Sequence, residues 1–334
     1  MAPALLCLLP LLLLSSLPGA LSAAPCNAAD KSALLQFKKD LGDPYTIITW
    51  TAATDCCSDW YAMGCDSDTG RVTSIDISSS EARGPLPPSV GDLPYLNTLT
   101  VRKSPNLTGP IPPELSKLTN LKMLWMDWNS LTGPIPAFLG RLTKLDYINL
   151  SFNKLTGSIP PSLGDLPLLR GLFLDRNQLT GTIPEELGRL PSPSLFIRLG
   201  HNNLTGPIPQ SFKNLQINSI DLSRNQLTGD PSVLFVTGDW ASDITLFLYL
   251  DRNQFEFDLS KAKFSPTLSW LDLNHNRVYG SIPAQVTKLP LQNFNVSYNR
   301  LCGEIPQGGR LAELTEYEFF HNKCLCGKPL QPCK

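Results

Sequence analysis

The chain has almost no net charge and, beyond its N-terminus, no long apolar run. Its 28 lysines and arginines nearly balance 29 aspartates and glutamates, for a formal net charge of -1. Such a balance indicates neither a nucleic-acid binder nor an acidic tail. No later apolar stretch approaches the ~20 residues that span a bilayer. The G-x-S-x-G and H-E-x-x-H motifs are also missing, which disfavours two classes of hydrolase.

Cysteine is missing from the interior of the chain and concentrated at its two ends. Nine cysteines are present, of which Cys7 lies in the N-terminal apolar run and none lies between Cys65 and Cys302. Four on each side of this gap suit disulfides that close the ends of a protein. Zinc is the alternative, but adjacent Cys56 and Cys57 fit poorly with C-x₂₋₄-C ligand spacing. We predict no metal or other cofactor, and disulfides among Cys26, Cys56, Cys57, Cys65, Cys302, Cys324, Cys326 and Cys333.

The N-terminus carries an apolar run from Leu5 to Leu17, followed by small residues. This pattern predicts a secretory signal peptide with cleavage after Ala23, although its n-region has no lysine or arginine. A membrane anchor is the alternative, but the run is shorter than a spanning helix. We therefore expect a secreted, soluble mature chain, in agreement with the disulfides.

An internal repeat organises the rest of the sequence. The octapeptide N-x-L-x-G-x-I-P occurs at residues 153–160 and 177–184, downstream of a leucine-rich L-x-x-L-x-L pattern. Its first residue, the anchor, recurs every 23 to 25 residues with one interval of 28, at Asn129, Asn153, Asn177, Asn202, Asn225, Asn253, Asn276 and Asn299. This leucine-rich repeat predicts a solenoid whose turns cover one another's apolar faces. The anchor amide can satisfy backbone groups at each bend, so we assign it a structural role.

The segments flanking the regular repeats also give local predictions. Residues 30–41 have apolar side chains at helical spacing and predict a short capping helix. Trp50 and Trp60 should pack over the first turn. One extra residue before Leu107 predicts a bulge in the second turn. Phe255 and Phe257 replace the usual leucine and glycine, which predicts a deformed eighth turn.

The chain as a whole resembles a known family. The cap segments D-K-x-A-L-L-x-F-K at 30–38 and D-C-C at 55–57, followed by turns bearing L-T-G-x-I-P, are similar to plant extracellular leucine-rich-repeat proteins. The C-terminal segments 295–303 and 320–327 resemble polygalacturonase-inhibiting proteins in particular. The repeat alone is shared with many receptor ectodomains, whereas ten turns, two four-cysteine caps and no later membrane segment are more specific. The segment W-Y-A-M-G-C at 60–65 departs from the commoner W-x-G-V-x-C.

This resemblance implies a function, a location and a disulfide pattern. It implies a non-enzymatic plant defence protein of the extracellular space and cell wall, which binds fungal or insect endopolygalacturonases with its concave face and limits pectin degradation. Pectin itself is a further candidate partner, whereas no nucleic acid and no membrane anchor is expected. The implied disulfides are Cys26 with Cys56, Cys57 with Cys65, Cys302 with Cys324, and Cys326 with Cys333. The cysteine spacing alone could not select these pairs.

We predict an α/β leucine-rich-repeat solenoid. It is expected to be a right-handed curved superhelix of about ten plant-type repeats, with a concave parallel β-sheet and disulfide-closed N- and C-terminal caps. The predicted domains are the signal peptide (1–23), an N-terminal cysteine-containing cap (24–70), the repeats (71–306) and a C-terminal cysteine-containing cap (307–334).

The candidate binding residues follow from the repeat geometry. Strands stack ~4.8 Å apart, so outward-facing residues at equivalent positions form columns on the concave face. Aromatic residues of turns three to five, with charged residues beside them, have the composition of a protein interface. Solvated charges, and aromatics folded over the sheet, are the alternative. The predicted partner-binding residues are Trp125, Asp127, Trp128, Phe152, Phe173, Asp175, Arg176, Arg198, His201, Asp221, Arg224, Tyr249, Arg252 and His275.

Two further expectations concern this face. Arginines at 176, 224 and 252, with histidines between them, are expected to contact carboxylates of an enzyme or of pectin. Because an unperturbed histidine has a pKa near ~6.5, binding should weaken as the pH rises towards neutrality. Four glycosylation sequons occur, at Asn106, Asn149, Asn203 and Asn295. A glycan at Asn149 would obstruct the aromatic residues, so we expect that site to be little used.

Other functions remain as alternatives. Asp127 and Asp175 lie two turns apart, roughly 10 Å, which is near the upper end of the carboxylate separation in inverting glycosidases. Neither lies in a predicted pocket, and an open face should leave both wet with ordinary acidity, so we predict no catalysis. A soluble receptor for a peptide or pectin fragment would share the fold. An ice-binding protein is the third alternative, because Thr132, Thr156, Thr180, Thr205 and Thr228 recur off the concave face.

Overall fold

The computed structural model describes residues 23–190, 194–235 and 246–334. The predicted signal peptide therefore lies outside the described residues, apart from Ala23. In the part of the chain that is described, no helix is both long and apolar enough to cross a membrane.

The main sheet runs the length of the repeats, and we call its solvent-facing side the concave face. Within the described residues it has eleven strands, parallel throughout except for the antiparallel pairing of the first two. Its strands are β1 (Met63–Cys65), β2 (Val72–Ser78), β4 (Thr98–Arg102), β6 (Met123–Trp125), β8 (Tyr147–Asn149), β10 (Gly171–Phe173), β12 (Leu195–Arg198), β14 (Ile217–Asp221), β16 (Leu246–Tyr249), β18 (Leu268–Asp272) and β20 (Asn293–Asn295).

Two further sheets lie after the bends. The second sheet contains β3 (Gly84–Pro85), β5 (Leu107–Gly109), β7 (Ser130–Pro134), β9 (Lys154–Gly157), β11 (Gln178–Thr182), β13 (Asn203–Gly206), β15 (Gln226–Gly229) and β17 (Gln254–Phe255). The third contains β19 (Tyr279–Gly280), β21 (Arg300–Glu304) and β22 (Cys324–Cys326). Short 3₁₀ helices complete the turns, at Tyr45–Ile47, Pro88–Asp92, Pro113–Lys117, Ala137–Arg141, Pro161–Asp165, Glu185–Arg189, Gln210–Asn214, Ser232–Leu234, Leu259–Lys261, Ala284–Lys288, Gly309–Glu313 and Glu316–Glu318.

The L-T-G-x-I-P motif explains how each turn leaves the second sheet. Gly157 ends β9 with φ at +76°, a left-handed conformation that glycine adopts without a Cβ penalty. Ile159 is 1% exposed and enters the core. Pro160, with φ at −65°, then precedes the 3₁₀ helix. The motif therefore makes a bend, a core contact and a helix start in four residues.

The core is a continuous row of aliphatic side chains between the main sheet and the helices. Leu124, Ile148 and Leu172 lie side by side in the register of β6, β8 and β10 and are fully buried. Each turn thus covers the apolar face of the next, as the solenoid prediction requires. The predicted solenoid fold is confirmed.

The N-terminal cap closes the first turn. Helix α1 (Ala28–Asp40) begins after Asn27, whose side chain accepts hydrogen bonds from the backbone N–H groups of Ala29 and Asp30. Trp50 and Trp60 stack with centroids 5.4 Å apart and are almost fully buried, so their predicted packing role is confirmed. Asp30 is 1% exposed and ties the helix to the repeats, because it accepts from the side chain of Arg71.

All eight cysteines after residue 23 form disulfides. Cys26 pairs with Cys56, Cys57 with Cys65, Cys302 with Cys324, and Cys326 with Cys333, in the pattern that the family resemblance implied. Their sulfurs are therefore not free to bind zinc, and the zinc alternative for these residues is wrong.

Both predicted irregularities occur. In the second turn Ser104 takes the anchor position and Leu107 follows three residues later, one more than in the regular turns. In the eighth turn, Phe255 and Phe257 are buried, and the second sheet ends at β17. Only an isolated bridge from Asp258 to Tyr279 continues the pairing there within the described residues.

Candidate functional site

The anchor asparagines are structural, and all of the eight except the half-buried Asn276 are buried. Asn177 shows the pattern, since its Oδ1 accepts the backbone N–H of Leu155 in the preceding turn at 3.0 Å. Its Nδ2 donates to the carbonyl oxygens of Leu150 and Leu174 at 2.9 and 3.0 Å. The predicted structural role is confirmed.

The residue before each anchor has an uncommon backbone conformation. Eleven turns have an anchor position, filled by the eight asparagines above and by Ser80, Ser104 and Asn322. The eleven preceding residues have φ between 52° and 57°, the left-handed region that non-glycine residues other than Asn, Asp and His rarely adopt. Each costs ~1 kcal/mol or more. None of the eleven is Gly, Asn or Asp and three are His, so at the other eight positions the residue is not one that favours this backbone conformation. They are Ser79, Lys103, Trp128, Phe152, Arg176, His201, Arg224, Arg252, His275, Tyr298 and His321.

The predicted aromatic residues of turns three to five lie together, and we call Trp125, Trp128, Phe152 and Phe173 the aromatic patch. Trp128 and Phe152 stack with ring centroids 3.7 Å apart and an interplanar angle of 13°. The guanidinium carbon of Arg176 lies 5.0 Å from the Phe152 centroid. Trp128 remains 50% exposed. The stack therefore fixes Trp128 on one side and leaves the rest of its surface open to a partner.

A depression of about 310 Å³ opens within the aromatic patch. The guanidinium carbon of Arg198 lies 5.5 Å from the centroid of Phe173 in its wall. Aromatic surface and arginine in one concave site are the features of an interface hot spot. The depression is lined by Arg102, Trp125, Asp127, Trp128, Asn149, Ser151, Phe152, Phe173, Asp175 and Arg198.

Asp127 was predicted to be a solvent-exposed charge of the binding face, but its side chain is buried. Its side chain is 6% exposed, and its Oδ2 accepts from Nη2 of Arg102 at 3.0 Å. The charge of Asp127 is thus largely neutralised inside the wall and is poorly placed to contact a partner. Arg102 was not among the predicted binding residues, although it lies in the same outward-facing column as Asp127.

The predicted basic residues follow the aromatic patch along the same column. Arg176, Arg224 and Arg252 are exposed, and among the described residues none of them has a carboxylate within 4.0 Å. Burial and the neighbouring arginines lower the pKa of His201 and of His275. The histidines are therefore less often protonated at mildly acidic pH than the sequence prediction assumed.

A row of carboxylates lies inside this basic column. Burial raises the pKa of Asp175 and Asp272, and burial together with the charges of Asp272 and Asp221 raises that of Asp251 to about 6. Burial also raises the pKa of Tyr249, whose ring lies 5.4 Å from that of Trp270. The expectation that this face leaves carboxylates with ordinary acidity is therefore wrong for Asp175, Asp251 and Asp272.

The structure also corrects the reasoning on a catalytic pair. Asp127 and Asp175 both line the same depression, although neither was expected to lie in a pocket. Asp175 accepts a hydrogen bond from the hydroxyl of Ser151 at 2.5 Å. Asp127 is buried against Arg102, which hinders it from activating a water as a general base. The two carboxylates line one depression, as a catalytic pair would, but both are already engaged, Asp127 by Arg102 and Asp175 by Ser151.

The structure adds residues at the C-terminal end of the concave face. His275, Tyr298 and His321 stack in succession, with centroids 4.1 and 4.3 Å apart. Asn322 makes the full set of anchor hydrogen bonds, so the anchor ladder has an eleventh turn. The predicted anchors end at Asn299, although Asn322 follows it at the usual interval of 23 residues.

The four sequons differ in accessibility. Asn106 and Asn203 are exposed, whereas Asn149 is 8% exposed and lines the depression. Asn295 is half-buried, and its Oδ1 accepts from Ser297. A glycan on Asn149 would have to displace the wall of the depression, so its inclusion among the candidate glycosylation sites conflicts with this burial.

Comparisons with known proteins agree with the architecture. A model of the leucine rich repeat N-terminal domain matches residues 27–66, and a leucine rich repeat model matches residues 120–142, 144–166, 168–190 and 195–215. The crystal structure of a plant ice-binding protein aligns with a TM-score of 0.87 and 45% identity, covering 93% of this chain and 99% of that one.

Relatives similar over nearly the whole chain carry a common name. Polygalacturonase inhibitor 1 of Arabidopsis thaliana is 57% identical, over 99% of both chains. The polygalacturonase inhibitor of Pyrus communis is 54% identical, over 92% of both. This identity extends through the repeats and both caps.

Proposed function

The chain belongs to the polygalacturonase inhibitor family of leucine-rich-repeat proteins, and from this we propose that it inhibits an endopolygalacturonase by binding it with the concave face. The observation that carries the proposal is the aromatic patch. Trp128 is half exposed while held in a strained backbone conformation and stacked on Phe152. A fixed, exposed aromatic side chain beside a depression gives a partner a large contact area at little cost in side-chain entropy.

Charge supports the same face. The exposed Arg176, Arg224 and Arg252 are available to the carboxylates of the partner, because none of them forms an ion pair within 4.0 Å among the described residues. Arginine pairs bidentately with carboxylates, and glycosidases have acidic residues around their clefts. The aromatic patch then supplies affinity and the arginine column supplies orientation. This division of roles needs no catalytic group on the inhibitor, and we propose that the protein is not an enzyme.

We further propose the location and the class of the target. Four disulfides suit an oxidising compartment, so we place the mature protein in the extracellular space or cell wall. The target is proposed to be a fungal endopolygalacturonase, with insect enzymes as the second source. Pectin is a further candidate ligand, because its uronates carry the carboxylates that the arginine column can bind.

The test is the release of reducing sugar from polygalacturonate by a panel of fungal endopolygalacturonases at mildly acidic pH. The purified mature protein should lower the rate of at least one enzyme in a dose-dependent way and release no sugar by itself. A folded protein that inhibits no member of a broad panel would contradict the proposal. Binding of peptides or pectin fragments would then favour the receptor alternative.

Ice binding is the second candidate, because of the similarity to a plant ice-binding protein. The second sheet is the surface to consider, since Thr132, Thr156 and Thr205 are exposed there. Its lateral neighbours are mixed, however: Thr132 pairs with Lys154 and Thr156 pairs with Gln178. This interrupts the regular threonine array expected of a flat ice-binding face. Thermal hysteresis and inhibition of ice recrystallisation, measured on the same preparation, test this candidate directly.

A further inference from the structure

Arg102 makes two different contacts with neighbouring residues of the next turn. Its Nη2 donates to Oδ2 of Asp127 at 3.0 Å, and its Nε lies 3.0 Å from Oδ1 of the same carboxylate. Its guanidinium carbon also lies 5.1 Å from the ring centroid of Trp125. Asp127 and Trp125 are two residues apart and line the same depression. One guanidinium therefore holds both an ionic and an aromatic part of the wall.

The burial of these groups shows why the arrangement depends on arginine. The Asp127 side chain is 6% exposed, so without a cation beside it a charged group would be left buried and unpaired. The Arg102 side chain is 32% exposed, so the cation that pairs with Asp127 lies at the edge of the depression. A planar guanidinium can lie against an indole and still donate to a carboxylate, whereas an ammonium group does not combine the two geometries.

We propose that Arg102 is a positioning residue of the inhibitory site, which fixes the ring of Trp125 and neutralises Asp127 so that the aromatic patch is formed before the partner binds. The inference rests on the proposed function. It deepens that function by adding a residue whose contribution reaches the enzyme through Trp125. A preformed patch saves the free energy of ordering side chains on association.

Arg102→Lys is the decisive variant, because it keeps the charge beside Asp127 and removes the planar contact with Trp125. The chain offers a matched control in Arg170, which pairs with Asp146 and lies 5.4 Å from the ring of Tyr147, but outside the depression. Arg170→Lys loses the same kinds of contact. The comparison therefore separates the position of the arginine from the general effect of losing an arginine–aromatic pair.

The first measurement does not need a partner. In ¹H–¹⁵N spectra of the free protein, the indole N–H signal of Trp125, assigned with Trp125→Phe, should shift and exchange faster with solvent in Arg102→Lys. It should remain as in the wild type in Arg170→Lys. An unchanged Trp125 signal in Arg102→Lys would overturn the positioning role.

The second measurement is the inhibition constant against an enzyme that the wild type inhibits. Arg102→Lys should raise it about tenfold, as expected for a residue beside a hot spot, with an unfolding midpoint close to that of the wild type. Arg170→Lys should leave it unchanged. Equal losses in both variants, or a loss that follows a lowered unfolding midpoint, would reduce Arg102 to a structural role. If the wild type inhibits no enzyme, the proposed function fails, and the indole signal alone then decides whether Arg102 positions Trp125.

Discussion

Replacing Trp128 by alanine tests the binding face at its most exposed aromatic residue. A large aromatic side chain has roughly 200 Å² to bury, and about half of the Trp128 surface is still exposed. Covering that ~100 Å² at ~25 cal/mol per Å² would contribute ~2.5 kcal/mol to association. This corresponds to roughly a 70-fold loss of affinity in Trp128→Ala. The remaining half already stacks on Phe152, so the variant should also lose ~0.5 to 1.5 kcal/mol of stability.

A second substitution at the same position separates the side chain from the backbone. Trp128 has φ at 57°, which glycine adopts without strain and alanine does not. Trp128→Gly should therefore unfold at a higher temperature than Trp128→Ala but inhibit equally poorly. Inhibition constants and thermal midpoints of the two variants, measured together, show whether the loss of inhibition follows the missing ring.

The control for this experiment is Tyr279→Ala. Tyr279 is 45% exposed, close to Trp128 in this respect, but it lies in β19 and not on the concave face. Its replacement should leave the inhibition constant within about twofold of the wild type, as for a substitution outside the interface. Comparable losses in Tyr279→Ala and Trp128→Ala, or full inhibition by Trp128→Ala, would refute the assignment of the aromatic patch as the interface.

Three other measurements test the scaffold and its charges. Asn177→Ala should lower the free energy of unfolding by about 2 to 3 kcal/mol in urea denaturation, because a buried backbone N–H loses its acceptor. The pKa of Asp251 is raised to about 6 from 3.8, so the folded state binds this proton more tightly than the unfolded state does. The group therefore lowers the free energy of unfolding as the pH rises from 3.8 to about 6. Asp251→Asn should reduce this pH dependence, measured as the thermal unfolding midpoint at a series of pH values. Peptide mapping of the secreted protein should find glycan at Asn106 and Asn203 and none at Asn149, whose side chain is 8% exposed.

The fold could be predicted from the sequence because each repeat specifies several structural features at once. In each regular turn the same residues set the strand, the anchor hydrogen bonds and the start of the 3₁₀ helix. The alternation of Tyr147 and Ile148 along β8, for example, predicts that Ile148 enters the core, and this side chain is fully buried. The disulfide pairs, in contrast, needed the family resemblance, since spacing alone leaves many pairings open.

The site was predicted less completely, because columns give positions and not contacts. The column positions place Asp127 and Arg102 on the same face but do not show that they form an ion pair between adjacent turns. It also cannot show that Trp128 lies against Phe152 instead of covering the sheet edge. Both outcomes depend on side-chain orientation across neighbouring turns. The eleventh turn was missed for a different reason: Asn322 follows Phe320 and His321, and the usual L-x-G-x-I-P does not follow it.

The predicted pH dependence of binding to the concave face involves other groups than the histidines alone. The sequence prediction assigned weaker binding at higher pH to histidines with a pKa near ~6.5. Burial and nearby arginines lower the pKa of His201 and His275, so their positive charge is lost at lower pH than assumed. Burial raises the pKa of Asp175, Asp251 and Asp272, so their negative charge also appears later than in free carboxylates. Both changes make the face less positive as the pH rises, and both weaken attraction for an acidic partner. We therefore still expect binding to weaken as the pH rises, but the histidines lose their charge below ~6.5, and the carboxylates contribute together with them.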